Sequence, residues 1–75
     1  MPTIYILNSI KILMYFDDHS PPHFHAVYNE YEELFEIRTL TTYRGSLPSK
    51  QRKIVVEWAK SNLKFLIDKW NEFNP

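Results

Sequence analysis

The stretch HFHAVYNEYEELFE, residues 23–36, predicts a β-hairpin from which the rest of the fold can be worked out. Apolar and polar side chains alternate along its first half, as they do in a strand with one buried face. A two-residue turn is expected at Asn29-Glu30, because asparagine tolerates the positive φ of tight hairpin turns. This turn sets Tyr28 opposite Tyr31, and an error of one residue in the register would move every side chain to the other face.

The same register decides where the histidines of the hairpin point. His25 is set opposite Leu34. His23 is set opposite Glu36, and both imidazole rings share one face because side chains two residues apart do so in a strand. Phe24 lies between them and points to the other face, toward the expected core. We expect the histidine face to be turned away from the helix and open to solvent, with neither ring in the core.

Further strands are predicted on both sides of the hairpin. Residues 10–16 alternate between the two faces of a strand, and residues 4–7 form a short apolar run that could be an edge strand. A second turn near residues 40–41 leads into a short strand that Gly45 ends. We expect the strands to lie within residues 3–44 and to form an antiparallel meander.

A single long helix is predicted from about residue 48 to residue 73. Pro48 suits its first position, where the missing N–H has no partner to lose. One mostly apolar stripe then recurs at spacings of three and four, as in a helix with one buried face: Val55, Ala59, Asn62, Leu66, Trp70 and Phe73. The sequence therefore predicts an α+β fold, a small antiparallel β-meander of three to four strands packed against one long C-terminal helix, in a single domain over residues 1–75.

The composition excludes several classes of protein. The chain has no cysteine, which rules out disulfides and thiolate metal sites, and no apolar run approaches the roughly 20 residues of a membrane span. Its start, Met1 to Ile4, lacks the basic and apolar segments of a signal peptide, so a cytoplasmic protein without a membrane partner is expected. Basic and acidic residues number 9 each, which argues against a surface that binds nucleic acid over its whole extent.

The three histidines of the chain lie close together in the sequence and suggest a metal site. His23 and His25 offer two nitrogens from one strand face, and His19 could add a third from the preceding loop. An oxygen ligand could come from Asp17, Asp18 or Glu36. Zinc, manganese or nickel would accept such a set, so a divalent metal such as zinc is the expected cofactor if there is one.

Two metal-free interpretations of the same segment stay open. In the first, His23, His25 and Glu36 are catalytic, with the carboxylate orienting an imidazole that acts as a general base or acid. In the second, His23 and Glu36 are only a cross-strand polar pair on a solvated sheet face.

The start of the helix suggests a second site. Lys50, Arg52 and Lys53 crowd its first turn, where free backbone N–H groups also favour anions. We expect an anion-binding site for a phosphate, a nucleic-acid backbone or an acidic partner; the alternative is a basic patch that pairs with the acidic first half of the chain. Ile54 and Phe65 flank the apolar stripe, and if the sheet leaves them uncovered they favour a homo-oligomer.

Several motifs, taken in order, resemble a known family. They are Tyr15-Phe16-Asp17-Asp18-His19, Pro21-Pro22-His23-Phe24-His25, Glu30-Tyr31-Glu32 and Gly45-Ser46-Leu47-Pro48, followed by the helix pattern with Trp58-Ala59 and Trp70. Over almost its whole length the chain resembles the bacterial domain-of-unknown-function family four-one-six-zero. Asn29 stands where this family usually has glycine, and Leu40-Thr41 replaces a turn that contains one.

The resemblance implies a short single-domain protein, encoded beside another small uncharacterised family in a pairing that resembles a toxin–antitoxin arrangement. It implies no catalytic residue. The first expectation is therefore a small cytosolic interaction component of a two-gene module, with a small protein from the neighbouring gene as its partner. One alternative is a small metal-dependent or histidine-based hydrolase or nuclease, and another is a nucleic-acid-binding regulator. Whether the chain is an enzyme stays open at this point.

Overall fold

The computed structural model describes residues 2–75, which form a five-stranded antiparallel sheet and two helices. The elements are β1 (Thr3–Leu7), β2 (Ile10–Leu13), β3 (His23–Tyr28), β4 (Tyr31–Glu36), β5 (Thr42–Gly45), α1 (Ser49–Lys60) and α2 (Leu63–Phe73). The strands lie in the sheet in chain order, and each is antiparallel to the next. The predicted α+β meander is confirmed. In the described chain neither helix has the length and apolarity needed to cross a bilayer.

The central hairpin has the predicted register. Tyr28 pairs with Tyr31, and His23 pairs with Glu36. Asn29 takes a φ of 52° in the turn, the left-handed conformation that asparagine tolerates better than most residues. The alternation of side chains and the turn residue thus determine this pairing together.

The prediction of three to four strands was wrong, because the apolar run at the start of the chain is a full edge strand. Leu7 pairs with Ile10, so only two residues separate β1 from β2, and Asn8 closes this tight turn with a φ of 57°. The predicted strand over residues 10–16 ends earlier, at Leu13. Phe16 is 61% exposed as a result.

The core lies between one sheet face and the helices, as the apolar stripe predicts. Ile12 and Phe24 are fully buried on the sheet side, and Val55 and Leu66 are fully buried on the helix side. Trp70 is buried as well. Burying each large apolar side chain contributes roughly 1.5–3 kcal/mol, so this layer contact holds the helices on the sheet.

The predicted single helix is two helices, because the chain turns at Ser61-Asn62. The Ser61 N–H donates to the Trp58 carbonyl at 3.1 Å, a contact three residues back instead of four. The Asn62 side-chain amide donates to the same carbonyl at 2.8 Å. Serine and asparagine compete with the helical backbone in this way, which is why they favour helix ends. At the other end, Pro48 is the N-cap residue and not the first helical position.

Candidate functional site

His23 and His25 lie on the same side of β3, as predicted, but their surroundings differ from the prediction. His23 is only 2% exposed. The rings of Trp70 and Tyr43 each lie 5.2 Å from its ring, centroid to centroid, and these neighbours close the site over it. The expectation that neither imidazole is in the core was therefore wrong for His23. The His25 side chain is 13% exposed.

Three side chains converge at this place: Asp18, His23 and His25. Asp18 Oδ2 lies 3.0 Å from His23 Nε2 and 4.0 Å from His25 Nε2. One ligand atom from each of the three lies within 4.8 Å of the other two. His19 is not among them, and its side chain is 86% exposed. The structure thus brings together two of the three predicted nitrogens, with an aspartate oxygen as the third donor.

The hydrogen bond at the far side of the His23 ring fixes its tautomer. Nδ1 lies 2.7 Å from the carbonyl oxygen of Pro21, which can only accept, so Nδ1 carries a proton. Nε2 faces the Asp18 carboxylate at 3.0 Å. If Nε2 presented a bare lone pair there, two electron-rich atoms would repel each other. A hydrogen or a metal cation between the two atoms would remove this repulsion.

The His25 ring is oriented in the same way, by a hydrogen bond at its Nδ1 atom. Its Nδ1 lies 2.9 Å from Glu32 Oε2, and a carboxylate fixes the proton on that nitrogen. In the neutral ring Nε2 is then an acceptor; it is buried and has no hydrogen-bond partner within residues 2–75. A buried polar atom without a partner is uncommon in folded proteins, since leaving it unpaired costs about 1–3 kcal/mol. Both histidines thus turn an Nε2 atom toward Asp18.

The Asp18 carboxylate is also oriented by its neighbours. Its Oδ1 accepts a hydrogen bond from the His19 backbone N–H at 2.9 Å. The other oxygen, Oδ2, is the one that faces the two histidines. Each of the three donors therefore has one atom tied by the protein and one aimed inward, which is how protein ligands to metals are commonly supported.

Tyr15 forms one wall of the site. Its ring meets His25 edge to face, with the centroids 4.6 Å apart. Burial raises the pKa of the Tyr15 phenol above its ordinary value of 10.0, and the nearby carboxylates of Glu32 and Asp18 raise it further. Tyr15 therefore stays protonated at neutral pH and adds no charge to the site.

The remaining predicted site residues lie elsewhere. Glu36 stands opposite His23 in the register, but the carboxylate in contact with the His23 ring is that of Asp18. At the helix start Lys50 and Lys53 are exposed. Arg52 is engaged: its Nε donates to both oxygens of the buried Glu33 carboxylate, at 3.0 and 3.1 Å. The anion site at these three cations stays a prediction, and Arg52 also holds part of the fold.

Glu32 was missed in the sequence, although a signal for it was present. The predicted register sets His25 opposite Leu34, and Glu32 shares the face of Leu34 two residues away. A cross-strand diagonal neighbour is within reach of a long side chain. Asp18 was only one of three candidate oxygens, because no periodic pattern fixes a loop residue.

Comparison with known proteins gives one match. The model of the family described as "Domain of unknown function (DUF4160)" matches residues 9–71, which include the whole segment from Asp18 to His25. Neither the curated proteins nor the solved structures contain a match to the chain.

Proposed function

The chain belongs to the Domain of unknown function (DUF4160) family, and because that description names no activity, we propose from the geometry of its own residues that it binds a divalent metal ion through Asp18, His23 and His25. The ion would take the inward-facing Nε2 atoms of the two histidines and Oδ2 of the aspartate. Of the roles that the sequence left open, this proposal favours the metal-dependent one.

The observation that carries the proposal is the unpartnered Nε2 of His25. A proton shared between His23 and Asp18 would satisfy those two residues and leave His25 without a partner. A cation bound among the three would satisfy all of them, since His25 already carries its proton on Nδ1. Metal-binding histidines are typically held this way, with the second ring nitrogen donating to a carboxylate or a carbonyl.

The distances are compatible with one bound ion after a small contraction. Ligands at about 2.1 Å from a tetrahedral ion lie about 3.4 Å apart. The two separations from Asp18 Oδ2, 3.0 and 4.0 Å, lie on either side of that value. Two imidazoles and one carboxylate suit zinc, manganese, nickel or iron(II).

The donor set also bears on activity. Three protein ligands leave a coordination position for water or substrate, which is the arrangement of catalytic zinc sites as opposed to structural ones. A bound divalent ion would supply a nucleophilic water at neutral pH or polarise a substrate oxygen. Tyr15, protonated and in contact with His25, lines the site as a neutral wall. We propose a small metal-dependent hydrolase as the activity that this site supports best.

Calorimetric titration of untagged, metal-stripped protein tests the metal site. Zn²⁺, Mn²⁺ and Ni²⁺ are added separately to the parent chain and to the variants His25→Gln and His19→Gln. We expect one equivalent of metal to bind to the parent. The His25→Gln variant should lose at least tenfold in affinity, because it removes the unpartnered nitrogen.

His19→Gln is the matched control, because His19 is a neighbouring histidine that lies outside the cluster and is exposed. Its affinity should stay within about twofold of the parent. A parent chain that binds none of the three ions would refute the proposal. Equal losses in His19→Gln and His25→Gln would refute the assignment of the ligands.

A further inference from the structure

We propose that Asn74, just beyond the end of α2, positions the Asp18 carboxylate for metal binding and couples that binding to the docking of the C-terminal end of the chain. This inference rests on the proposed function, because it concerns the same Asp18, His23 and His25 site. It assigns to Asn74 the role of a positioning residue that does not itself touch the metal.

The Asn74 side chain bridges two parts of the chain that are far apart in sequence. Its Oδ1 accepts a hydrogen bond from the Asp18 backbone N–H at 2.5 Å, across 56 residues. Its Nδ2 donates at 3.3 Å to the carbonyl of Tyr15 and, on the helix side, to that of Trp70 at the same distance. Both ends of one amide group are therefore used to join the segment around Asp18 to the last turn of α2.

Asp18 depends on this support because it lies in a loop and is not itself part of a strand or a helix. It lies between the end of β2 at Leu13 and the start of β3 at His23. Asp17, the residue before it, has a φ of 54°, a left-handed turn conformation that aspartate tolerates. The Asp17 N–H donates to the carbonyl of Phe73 at 3.3 Å. Two successive backbone N–H groups thus dock onto the end of α2.

Side-chain packing reinforces the same junction. Phe16 and Phe73 have ring centroids 4.4 Å apart, on the two sides of the contact. Trp70, in the last turns of α2, lies 5.2 Å from the His23 ring. The end of α2 therefore touches the site through both the carboxylate segment and a histidine, and its docking sets the position of two of the three donors.

Coupling between docking and metal binding must be reciprocal. If the docked arrangement holds Asp18 Oδ2 in the ligating position, the affinity of the metal for the docked arrangement is higher than its affinity for the undocked one. By linkage, bound metal then stabilises the docking by the same factor. Asn74 lies outside residues 9–71, the part of the chain that matches the family.

The test compares Asn74→Ala with a matched control, Asn62→Ala. Asn62, which lies between α1 and α2, makes a similar contact, with its Nδ2 donating to the carbonyl four residues back, that of Trp58, at 2.8 Å. It differs in having no bond to Asp18. Calorimetric titration with Zn²⁺ should show about a tenfold loss of affinity in Asn74→Ala, in the range seen for residues that orient metal ligands. Asn62→Ala should stay within about twofold of the parent.

Two further measurements separate positioning from a general loss of stability. Asn74→Gln keeps both an acceptor for the Asp18 N–H and a donor for the two carbonyls, and should recover part of the affinity that Asn74→Ala loses. Hydrogen exchange at the Asp18 amide should slow when Zn²⁺ is added to the parent and change little in Asn74→Ala, because the amide has then lost its acceptor.

The possible failures can be told apart. If the parent binds zinc and Asn74→Ala binds it equally well, the role of Asn74 is overturned and the metal site stands. If Asn62→Ala loses as much as Asn74→Ala, the effect is one of helix stability and the positioning role is again overturned. If the parent binds no metal, the proposed function and this inference fall together.

Discussion

At the scale of single residues, the left-handed backbone positions show how side-chain chemistry sets the turns. Among residues 2–75, those other than glycine with positive φ are Asn8, Asp17, Asn29 and Leu40. Asparagine and aspartate tolerate this conformation, whereas leucine pays about 1–2 kcal/mol for it. Leu40 is partly buried against the core, which offsets that strain.

Replacing the two turn residues by glycine should therefore have different effects. Asn29→Gly relieves little strain and loses no core contact, so its free energy of unfolding should stay within about 0.5 kcal/mol of the parent. Leu40→Gly relieves more strain but loses apolar burial, so it should be less stable by about 1 kcal/mol, or about 4–8 °C in Tm. Thermal melts of both variants check this. A Leu40→Gly variant that melts above the parent would mean that backbone strain outweighs packing at residue 40.

At the scale of elements, β5 pairs with β4 only because Gly45 allows a close approach. Gly45 has a φ of 78°, and a Cβ there would run into the backbone carbonyl of Glu32. The Glu32 side chain in turn orients His25. The one glycine of the chain therefore holds the strand that supports the site.

Gly45→Ala should be strongly destabilising. The clash is with backbone, which cannot rotate away, and the left-handed conformation adds strain, so we expect a loss of at least about 2 kcal/mol. Chemical denaturation measures it, with Arg44→Ala as the control, since Arg44 is the exposed neighbour on the same strand. If both variants unfold at the same denaturant concentration, β5 does not depend on the missing side chain.

At the scale of the whole molecule, a buried carboxylate joins the sheet to the first helix. Glu33 is fully buried on β4 and accepts from Arg52 of α1 and from the Leu47 N–H at 2.8 Å. The hydroxyl of Thr42 on β5 also donates to it. One charged group thus ties two strands, the connecting segment and the first helix together, and its charge is balanced by Arg52 across the layers.

Removing Arg52 should leave that charge buried and unpaired. We expect Arg52→Ala to lower the free energy of unfolding by roughly 2–4 kcal/mol. The largest losses are known for ion pairs in which both partners are buried, and here the arginine is partly exposed. Lys53→Ala, an exposed cation one residue along α1, should change stability by less than about 0.5 kcal/mol. Denaturant titrations of the two variants provide the comparison, and similar midpoints would show that Arg52 is an ordinary surface cation.

The sequence alone determined the central hairpin, its register and the shared side of the two histidines. These follow from contacts between residues that are close in the chain: a period of two along each strand and a turn residue suited to positive φ. The same local reasoning predicted one helix where there are two, because the apolar stripe continues across Ser61-Asn62 and only hydrogen bonds to the helix end reveal the turn. Local patterns predict which face of an element is buried better than they predict the residue at which the element ends.

Only the tertiary structure decided what surrounds the histidines. Trp70 closes over His23 from the end of the chain, and Asn74 holds Asp18 from 56 residues away. Asp18, one of the three candidate oxygen ligands, joins the two histidines and His19 does not, because the backbone of the loop turns one side chain inward and leaves the other 86% exposed. Loop direction and long-range docking have no periodic signature in the sequence, since they depend on how the completed layers meet. The fold class and the central hairpin could therefore be predicted from residue patterns, whereas the grouping of Asp18 with the two histidines emerged only once the chain was folded.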